Sequence, residues 1–478
     1  MNRQARNIVI AACVVAVLGG SVLLINTLSG AKKNASSSAS SDTSSTASSI
    51  SLLSIKSGTL QSLHVLNAAG GYTITLSGGT YTVDALKDAP SNQAAIQTKV
   101  NDVLGLKATA LIAKNASDLA AYGLASPVAT VDIHTSDGKT TTVKLGNKAP
   151  SGNGVYVLKP DTNDVYISST MMNDDFSQSA LQYASTTVSS MSASANLSAY
   201  KFGGTARTTP FTVAVKQQTS SSGTSSAAAS SATYTYAVSQ PFAYDANSTN
   251  LGKITTALQS LSATSVASVD VSADTLAKYG LQNPAYTLTY TVDGQDTTLS
   301  FGNADASSNT VYMTISGKKA IYQVDTSSAA VFYNYQLSDV LTTSIFTSDI
   351  DSLKTLTVQS GSETHAFTFS GSGDKLVVTS GGKKLDTSNF RNYYQTLLAV
   401  TTRGGADKPS GVSPSMTITA TYNDNTPQQT IAFLPIGSDK AFVQINGVGA
   451  LYVYNSQITP LLTLAQNLEA GKTVAAPS

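Results

Sequence analysis

Tyr122-Gly123-Leu124-Ala125-Ser126-Pro127 returns 157 positions later as Tyr279-Gly280-Leu281-Gln282-Asn283-Pro284. Asp137-Gly138 returns as Asp293-Gly294, and Leu145-Gly146-Asn147 as Phe301-Gly302-Asn303, both 156 positions on. Val155-Tyr156 and Val165-Tyr166 match Val311-Tyr312 and Ile321-Tyr322 at that same offset of 156. Landmarks in constant register mean that the chain repeats one structural unit, so whatever folds one copy must fold the other. A weaker third copy follows: Phe442 and Tyr452 stand 130 residues after Tyr312 and Tyr322, and Pro414 stands 130 after Pro284. It lacks the Tyr-Gly-Leu element and has Asn423-Asp424-Asn425 near the place of the Asp-Gly turn.

Periodicity inside a copy predicts its elements. Leu251, Ile254, Leu258 and Leu261 share one helical face behind the candidate N-caps Asp245 and Ser248. Ile96, Val100, Val103 and Leu104 after Ser91 repeat the pattern, as do Phe390, Tyr394, Leu397 and Leu398 after Asp386. In the first two copies Tyr-Gly-Leu-x-x-Pro follows, where Gly supplies a positive φ and Pro stops further helix. Val131 and Ile133 then share one strand face, and Asp132 and His134 the other. Asp137-Gly138 reads as a hairpin turn, after which Val143 and Leu145 resume the alternation. Two more short strands carry Tyr156 and Tyr166, and a hairpin such as Leu63 to Leu76 precedes the helix. The expected fold class is α+β: tandem β-rich repeats, each an antiparallel sheet with one principal helix, and no doubly wound parallel sheet.

The N-terminus has a different character. Residues 8–28 carry no charge, and a helix of that length spans about 30 Å, the thickness of a bilayer core. Arg3 and Arg6 precede it and Lys32 and Lys33 follow, a balance that leans towards a cytoplasmic N-terminus. The expectation is an uncleaved transmembrane helix. A cleaved signal peptide would have a shorter apolar core and an Ala-x-Ala-like site, for which Ser29-Gly30-Ala31 is a weak match. Ile10-Ala11-Ala12-Cys13 resembles a lipoprotein box, but the apolar run continues to Leu28, so Cys13 reads as a small residue inside the membrane helix. It is the only Cys, which excludes disulfides from the exported part. Residues 35–49 are almost wholly Ser, Ala and Thr and read as a flexible tether spanning about 20 Å. A second such stretch, 217–232, reads as an extended hairpin loop between the strand-like runs 211–215 and 234–238. The division is then a membrane anchor at 1–30, a Ser-rich linker at 31–50, a first repeat at 51–185 and a second at 186–349. A divergent third repeat at 350–470 and a tail at 471–478 complete it.

The landmarks resemble the bacterial domain-of-unknown-function family 4340. Tyr122 to Pro127, Asp137-Gly138, Lys144-Leu145-Gly146-Asn147, Val155-Tyr156-Val157 and their second-copy equivalents carry the resemblance. It covers most of residues 50–470, weakly in the last third. Many members place a Trp in the early hairpin; this chain has no Trp, and Tyr81 stands at about that place. The resemblance implies an N-terminal membrane helix and an accessory role beside ABC-type transporters of gliding motility or export. It supplies no catalytic residues.

Chemistry is scarce. Charged residues make up 12% of the chain and the net charge is +1, which excludes the basic face that nucleic acid needs. His64, His134 and His365 are far apart with no paired spacing, and Glu363 and Glu469 are the only glutamates, so no metal and no cofactor is expected. Asp161 with Asp164, and Asp174 with Asp175, lack the calcium-loop pattern and read as solvated turn carboxylates. Ser-x-x-Lys occurs at Ser198 to Lys201, Ser316 to Lys319 and Ser380 to Lys383, but no Lys-Thr-Gly follows. Asp132 and His134 give way to Thr289 and Thr291 in the second copy, so no carboxylate pair is repeated. Tyr333, Tyr335, Tyr393, Tyr394, Tyr452 and Tyr454 cluster; packing is the preferred reading and stacking on sugars the alternative.

These observations lead to a single-pass, membrane-anchored extracytoplasmic accessory or interaction protein without catalytic activity. Its partners would be the membrane and, through the resemblance, a component of an ABC-type transport system; nucleic acid is not among them. The alternatives are a cell-wall or glycan-binding module and, third, an envelope-polymer hydrolase.

Overall fold

The computed structural model describes residues 49–150, 152, 154–218 and 233–477. The expected membrane helix with Cys13, the stretch 35–48 and the loop residues 219–232 lie outside them. Among the described residues no helix is long and apolar enough to cross a membrane.

The first unit opens with β1 (Ile50–Ser51) and a three-stranded meander, β2 (Leu60–Asn67), β3 (Gly70–Ser77) and β4 (Thr80–Val83). Helix α1 (Gln93–Leu104) then carries the chain across to the opposite edge, where β5 (Lys107–Ala113) lies. β6 (Ala129–Thr135) returns to the centre beside β2, and β7 (Thr140–Lys148), β8 (Val155–Leu158) and β9 (Val165–Ser168) meander outward to meet β5. The order is β1-β5-β9-β8-β7-β6-β2-β3-β4, antiparallel throughout. Helix α2 (Thr170–Phe176) follows.

The second unit contains β10 (Leu197–Gly203), β11 (Phe211–Gln218), β12 (Thr233–Gln240), β13 (Tyr244–Asp245), α3 (Ser248–Leu258), β14 (Ser265–Ser268) and α4 (Ala273–Lys278). It closes with β15 (Tyr286–Val292), β16 (Gln295–Asp305), β17 (Thr310–Ile315), β18 (Ile321–Asp325), α5 (Thr326–Tyr333) and α6 (Leu337–Val340). The third contains β19 (Leu353–Ser360), β20 (Glu363–Ser370), β21 (Val377–Ser380), β22 (Lys383–Lys384), α7 (Thr387–Leu398) and β23 (Gly404–Gly405). β24 (Met416–Tyr422), β25 (Gln429–Ile436), β26 (Lys440–Ile445), β27 (Val448–Tyr454) and α8 (Asn455–Glu469) complete it. Their strand orders, β13-β12-β11-β10-β15-β16-β17-β18-β14 and β22-β21-β20-β19-β24-β25-β26-β27-β23, are the same path. The third copy therefore keeps the topology although it lacks the Tyr-Gly-Leu element.

The cores follow from the alternation. Leu63, Val65, Ile74, Val131, Ile133, Val143 and Leu145 point to one face and are fully buried under Ile96, Val100 and Val103 of α1. A sheet with one apolar face is stable only when that face is covered. Helices α1, α3 and α7 lie against the meander strands β4, β12 and β21, and the helix after the last strand of each unit lies against the others. The expected caps are corrected in two copies. Asn92, not Ser91, accepts the amide of Ala95, and Asn247, not Asp245 or Ser248, accepts those of Thr249 and Asn250. Asp386 caps α7 as expected. On α7 Phe390, Tyr394 and Leu397 are buried as expected, but Tyr393 joins them in place of Leu398, which is exposed. The expectation of one principal helix per repeat is also incomplete. A second helix follows the last strand in every unit (α2, α5 and α8), with Ser169 and Asp325 capping the first two.

The units are joined by one recurring device. Residues after the last helix pair first with their own unit, Ser91 to Ala184 and Ala246 to Leu341. They then pair with the next unit, Thr187 to Ser262 and Ser344 to Thr401. Lys318 adds hydrogen bonds to the carbonyls of Thr187 and Val188 across the first junction, both at 2.9 Å. The apolar cores of the first two units are continuous, and the third has its own.

Candidate functional site

The repeated motif is a packing device. Gly123 and Gly280 sit at φ +70° and +71°, the left-handed region that glycine enters without strain. The loop they shape lies directly on the following strand. A Cβ on Gly146 would overlap the carbonyl oxygen of Tyr122, and one on Gly302 that of Tyr279. The amide of Asn303 donates to the carbonyl of Tyr279 at 2.9 Å. Tyr122 packs edge-on against Tyr156 at 5.0 Å, and Tyr279 lies tilted against Tyr312 at 4.6 Å. Loop, strand end and paired tyrosines thus recur together because they touch.

His365 is a buried titratable group with a carboxylate at each ring nitrogen. It is 5% exposed on β20, and both of the chain's glutamates flank it. Its Nδ1 lies 2.8 Å from Glu469 and its Nε2 3.0 Å from Glu363. Ser380 donates to Glu469 at 2.6 Å, and Gln466 donates to Glu363 at 2.6 Å. Both ring nitrogens are occupied by carboxylate partners, and Ser380 bonds the Glu469 carboxylate instead of the imidazole. The arrangement differs from a nucleophile–His–acid relay: it pins the end of α8 to β20 and β21. His365→Gln is expected to cost about 2 kcal/mol of stability by leaving carboxylates without their donor, measured by denaturant unfolding. The Glu363 carboxyl is held below its ordinary value of 4.5 by Gln466 and then by His365. A depressed folded-state value means that the contribution is present above pH 4.5 and is lost as pH falls through the lower value. Glu363→Gln should therefore flatten the fall in melting temperature below about pH 4.5.

A second polar cluster lies inside the first unit. Lys99 on α1 pairs with Asp175 on α2 at 3.0 Å and donates to Gln182 at 2.6 Å. Gln182 and Tyr183 both donate to the carbonyl of Asp175, and Tyr72 and Tyr183 share a hydrogen bond at 3.3 Å. Burial raises both phenols, Tyr183 the more strongly, and, with Asp175 second, raises the carboxyl of Asp102. The Lys99–Asp175 pair corrects the reading of Asp175 as a solvated turn carboxylate: it is 8% exposed. Asp174 does lie at the surface, 3.7 Å from Lys148, and Asp164 accepts the amide of Asn115 in a turn.

The other sequence candidates are held apart. His64 and Asp132 are cross-strand neighbours, but their side chains stand 3.9 Å apart and partly exposed. The same place holds Lys201 and Thr289 in the second unit and Thr357 and Thr419 in the third. His134 bonds Thr140. Ser198 sits on a strand and donates to the carbonyl of Thr291, while Lys201 pairs with Asp296 at 2.7 Å. Lys319 reaches Asp88 of the first unit, and Ser316 accepts the amide of Thr298. A cavity of about 760 Å³ between α3 and α5 has Lys253 as the one titratable side chain in its lining. No group of three or more His, Cys or carboxylate residues that could hold a metal occurs among the described residues. Tyr393 is fully buried, Tyr394 donates to the carbonyl of Ser348, and Tyr333 stacks on Tyr286. Tyr454 is exposed, edge-on to Tyr452 with Lys440 above both rings.

A family described as a domain of unknown function, DUF4340, matches residues 82–234 and 237–415. The chain belongs to the DUF4340 family. Each DUF4340 match begins near the end of one three-stranded meander and runs into the next unit, so it contains the helix, the Tyr-Gly-Leu lock and the junction. A sheet instead closes within Ile50–Ser168, Leu197–Asp325 or Leu353–Tyr454. The family matches and the sheets are thus out of phase along the chain. No curated protein and no solved structure matches the chain.

Proposed function

We propose that this DUF4340 protein is a membrane-anchored extracytoplasmic accessory protein without catalytic activity, an auxiliary component of an ABC-type transport system. The observation that carries the non-catalytic part is the engagement of its chemistry-bearing side chains. His365, both glutamates, Lys99 and Asp175 hold helices to sheets, and the family motif holds a loop to a strand. The uncharged stretch 8–28 supports the anchor, and the family resemblance supports the transporter partner. Crosslinking the tagged protein in cells, followed by mild-detergent purification and mass spectrometry, should recover a transporter permease. Turnover of a wall or surface polymer by the purified chain would overturn the reading.

Glycan binding is the second reading, favoured by the exposed Tyr454 beside Tyr452 and Lys440, since a sugar face stacks on such rings. It expects the protein to sediment with purified cell wall and Tyr454→Ala to release it.

A further inference from the structure

We propose that the β1–β5 edge of the first unit lies in the headgroup region of the bilayer, as a membrane contact additional to the proposed N-terminal anchor. The inference rests on the anchor reading above. Four large apolar side chains are exposed at this edge: Ile50 on β1, Leu111 and Ile112 on β5, and Met171 at the start of α2. Leu111 pairs with Tyr166, and Val266 of the second unit pairs with the equivalent Tyr322. Leu111 and Val266 therefore hold the same place in the fold, yet Leu111 is 46% exposed and Val266 7%.

The difference has a visible cause. β14, which carries Val266, packs against the 3-10 turn Ala180–Tyr183 at the end of the first unit, and β23 packs in the same way against α6. Among the described residues no unit precedes the first, and its β5 edge has no equivalent of that partner. Residues 35–48, which precede it in sequence, contain only Ser, Ala, Thr and one Asp, so they offer no large apolar side chain to cover Leu111. The first unit also carries Ile112 and Met171 where the second has Ala267 and Ser327. Its bare edge is more apolar than the covered one, the reverse of what water alone would favour.

The occupant is set by what the chain brings to this edge. The described residues begin at Ser49, next to β1, and only 20 residues separate it in sequence from the uncharged stretch 8–28. Lys107 and Lys114 bracket β5. Apolar side chains flanked by lysines match an interface where acyl chains meet anionic headgroups. Ile50, Leu111, Ile112 and Met171 would enter the acyl boundary while the two lysines reach phosphate.

The test uses the full chain in vesicles of phosphatidylcholine and phosphatidylglycerol, with Cys13→Ser and one environment-sensitive label at Leu111→Cys, Ile112→Cys or Met171→Cys. Lipids brominated near the headgroup should quench these labels about two-fold or more and spare labels at Leu398→Cys and Val412→Cys, exposed apolar positions on the third unit. Adding Leu111→Glu and Ile112→Glu should abolish quenching at position 171 while the protein still floats with the vesicles. Quenching at none of the three positions, with the chain still vesicle-bound, overturns the inference and leaves the anchor standing. A chain that is not recovered with vesicles overturns both. A photo-crosslinker at position 111 that captures protein instead of lipid in native membranes reassigns the edge to a protein partner.

Discussion

Gly146→Ala is expected to destabilise the protein by about 4 kcal/mol, and Gly302→Ala by a similar amount, the upper range for a single methyl group. The added Cβ would meet backbone, the carbonyl oxygen of Tyr122 or Tyr279, together with the Leu124 or Leu281 side chain. A backbone atom cannot rotate away as a flexible side chain can. The loop would have to lift, opening the contact between Tyr122 and Tyr156 or between Tyr279 and Tyr312. Gly138→Ala is the control. It sits at φ +78° in a hairpin turn, and a Cβ added there has no neighbour within 4 Å, so its cost is only about 1 kcal/mol, from the left-handed backbone. Denaturant unfolding of the three variants should separate them clearly. Equal costs for Gly138→Ala and Gly146→Ala would show that the loop does not bear on the strand. The third unit supplies an internal comparison. Leu434 follows Phe433 where Gly146 follows Leu145, and the Tyr-Gly-Leu loop is missing there as well. Glycine and loop are lost together, as a steric partnership requires.

The path of each sheet is largely legible from sequence because it depends on local patterns that repeat. Val131 and Ile133 alternate with Asp132 and His134, and Ile96, Val100 and Val103 recur at helical spacing; the structure buries the apolar members of both sets. The second helix of each unit escapes such a reading, although Asp325 before Thr326-Ser327-Ser328 is a capping signal. In the first two units its short length leaves little apolar periodicity to read. The polar clusters are hidden for a different reason. His365 and Glu469 are 104 residues apart and Lys99 and Asp175 stand on different helices, so only the fold brings them together. The meeting of the chain's two glutamates at one histidine has no local signature at all.

Arg207 is the other position where a single change should cost most, about 3 kcal/mol for Arg207→Met. Its side chain is buried, 5% exposed, between β10, β11 and the end of α5. The guanidinium donates to the carbonyls of Tyr335 at 2.7 Å and Tyr333 at 3.0 Å. Its carbon stands 5.2 to 5.6 Å from the ring centres of Phe211, Phe202 and Tyr286. Its acceptors are therefore backbone carbonyls and ring faces, with no carboxylate among them. Burial lowers the guanidinium from its ordinary range, yet arginine remains charged at any pH a protein survives. A cation there complements the negative end of α5 and stacks on three rings at once. Methionine fills the volume but leaves both carbonyls without a donor. Lysine keeps the charge but not the planar fork, so Arg207→Lys should still cost about 2 kcal/mol. Hydrogen exchange supplies the diagnostic pattern. Protection should fall in residues 204–211 and 330–336 of both variants and stay unchanged in β19 to β22 of the third unit. A neutral Arg207→Lys would mean that charge alone suffices; a loss spread evenly over all three units would mean that Arg207 supports the whole chain instead of the end of one helix.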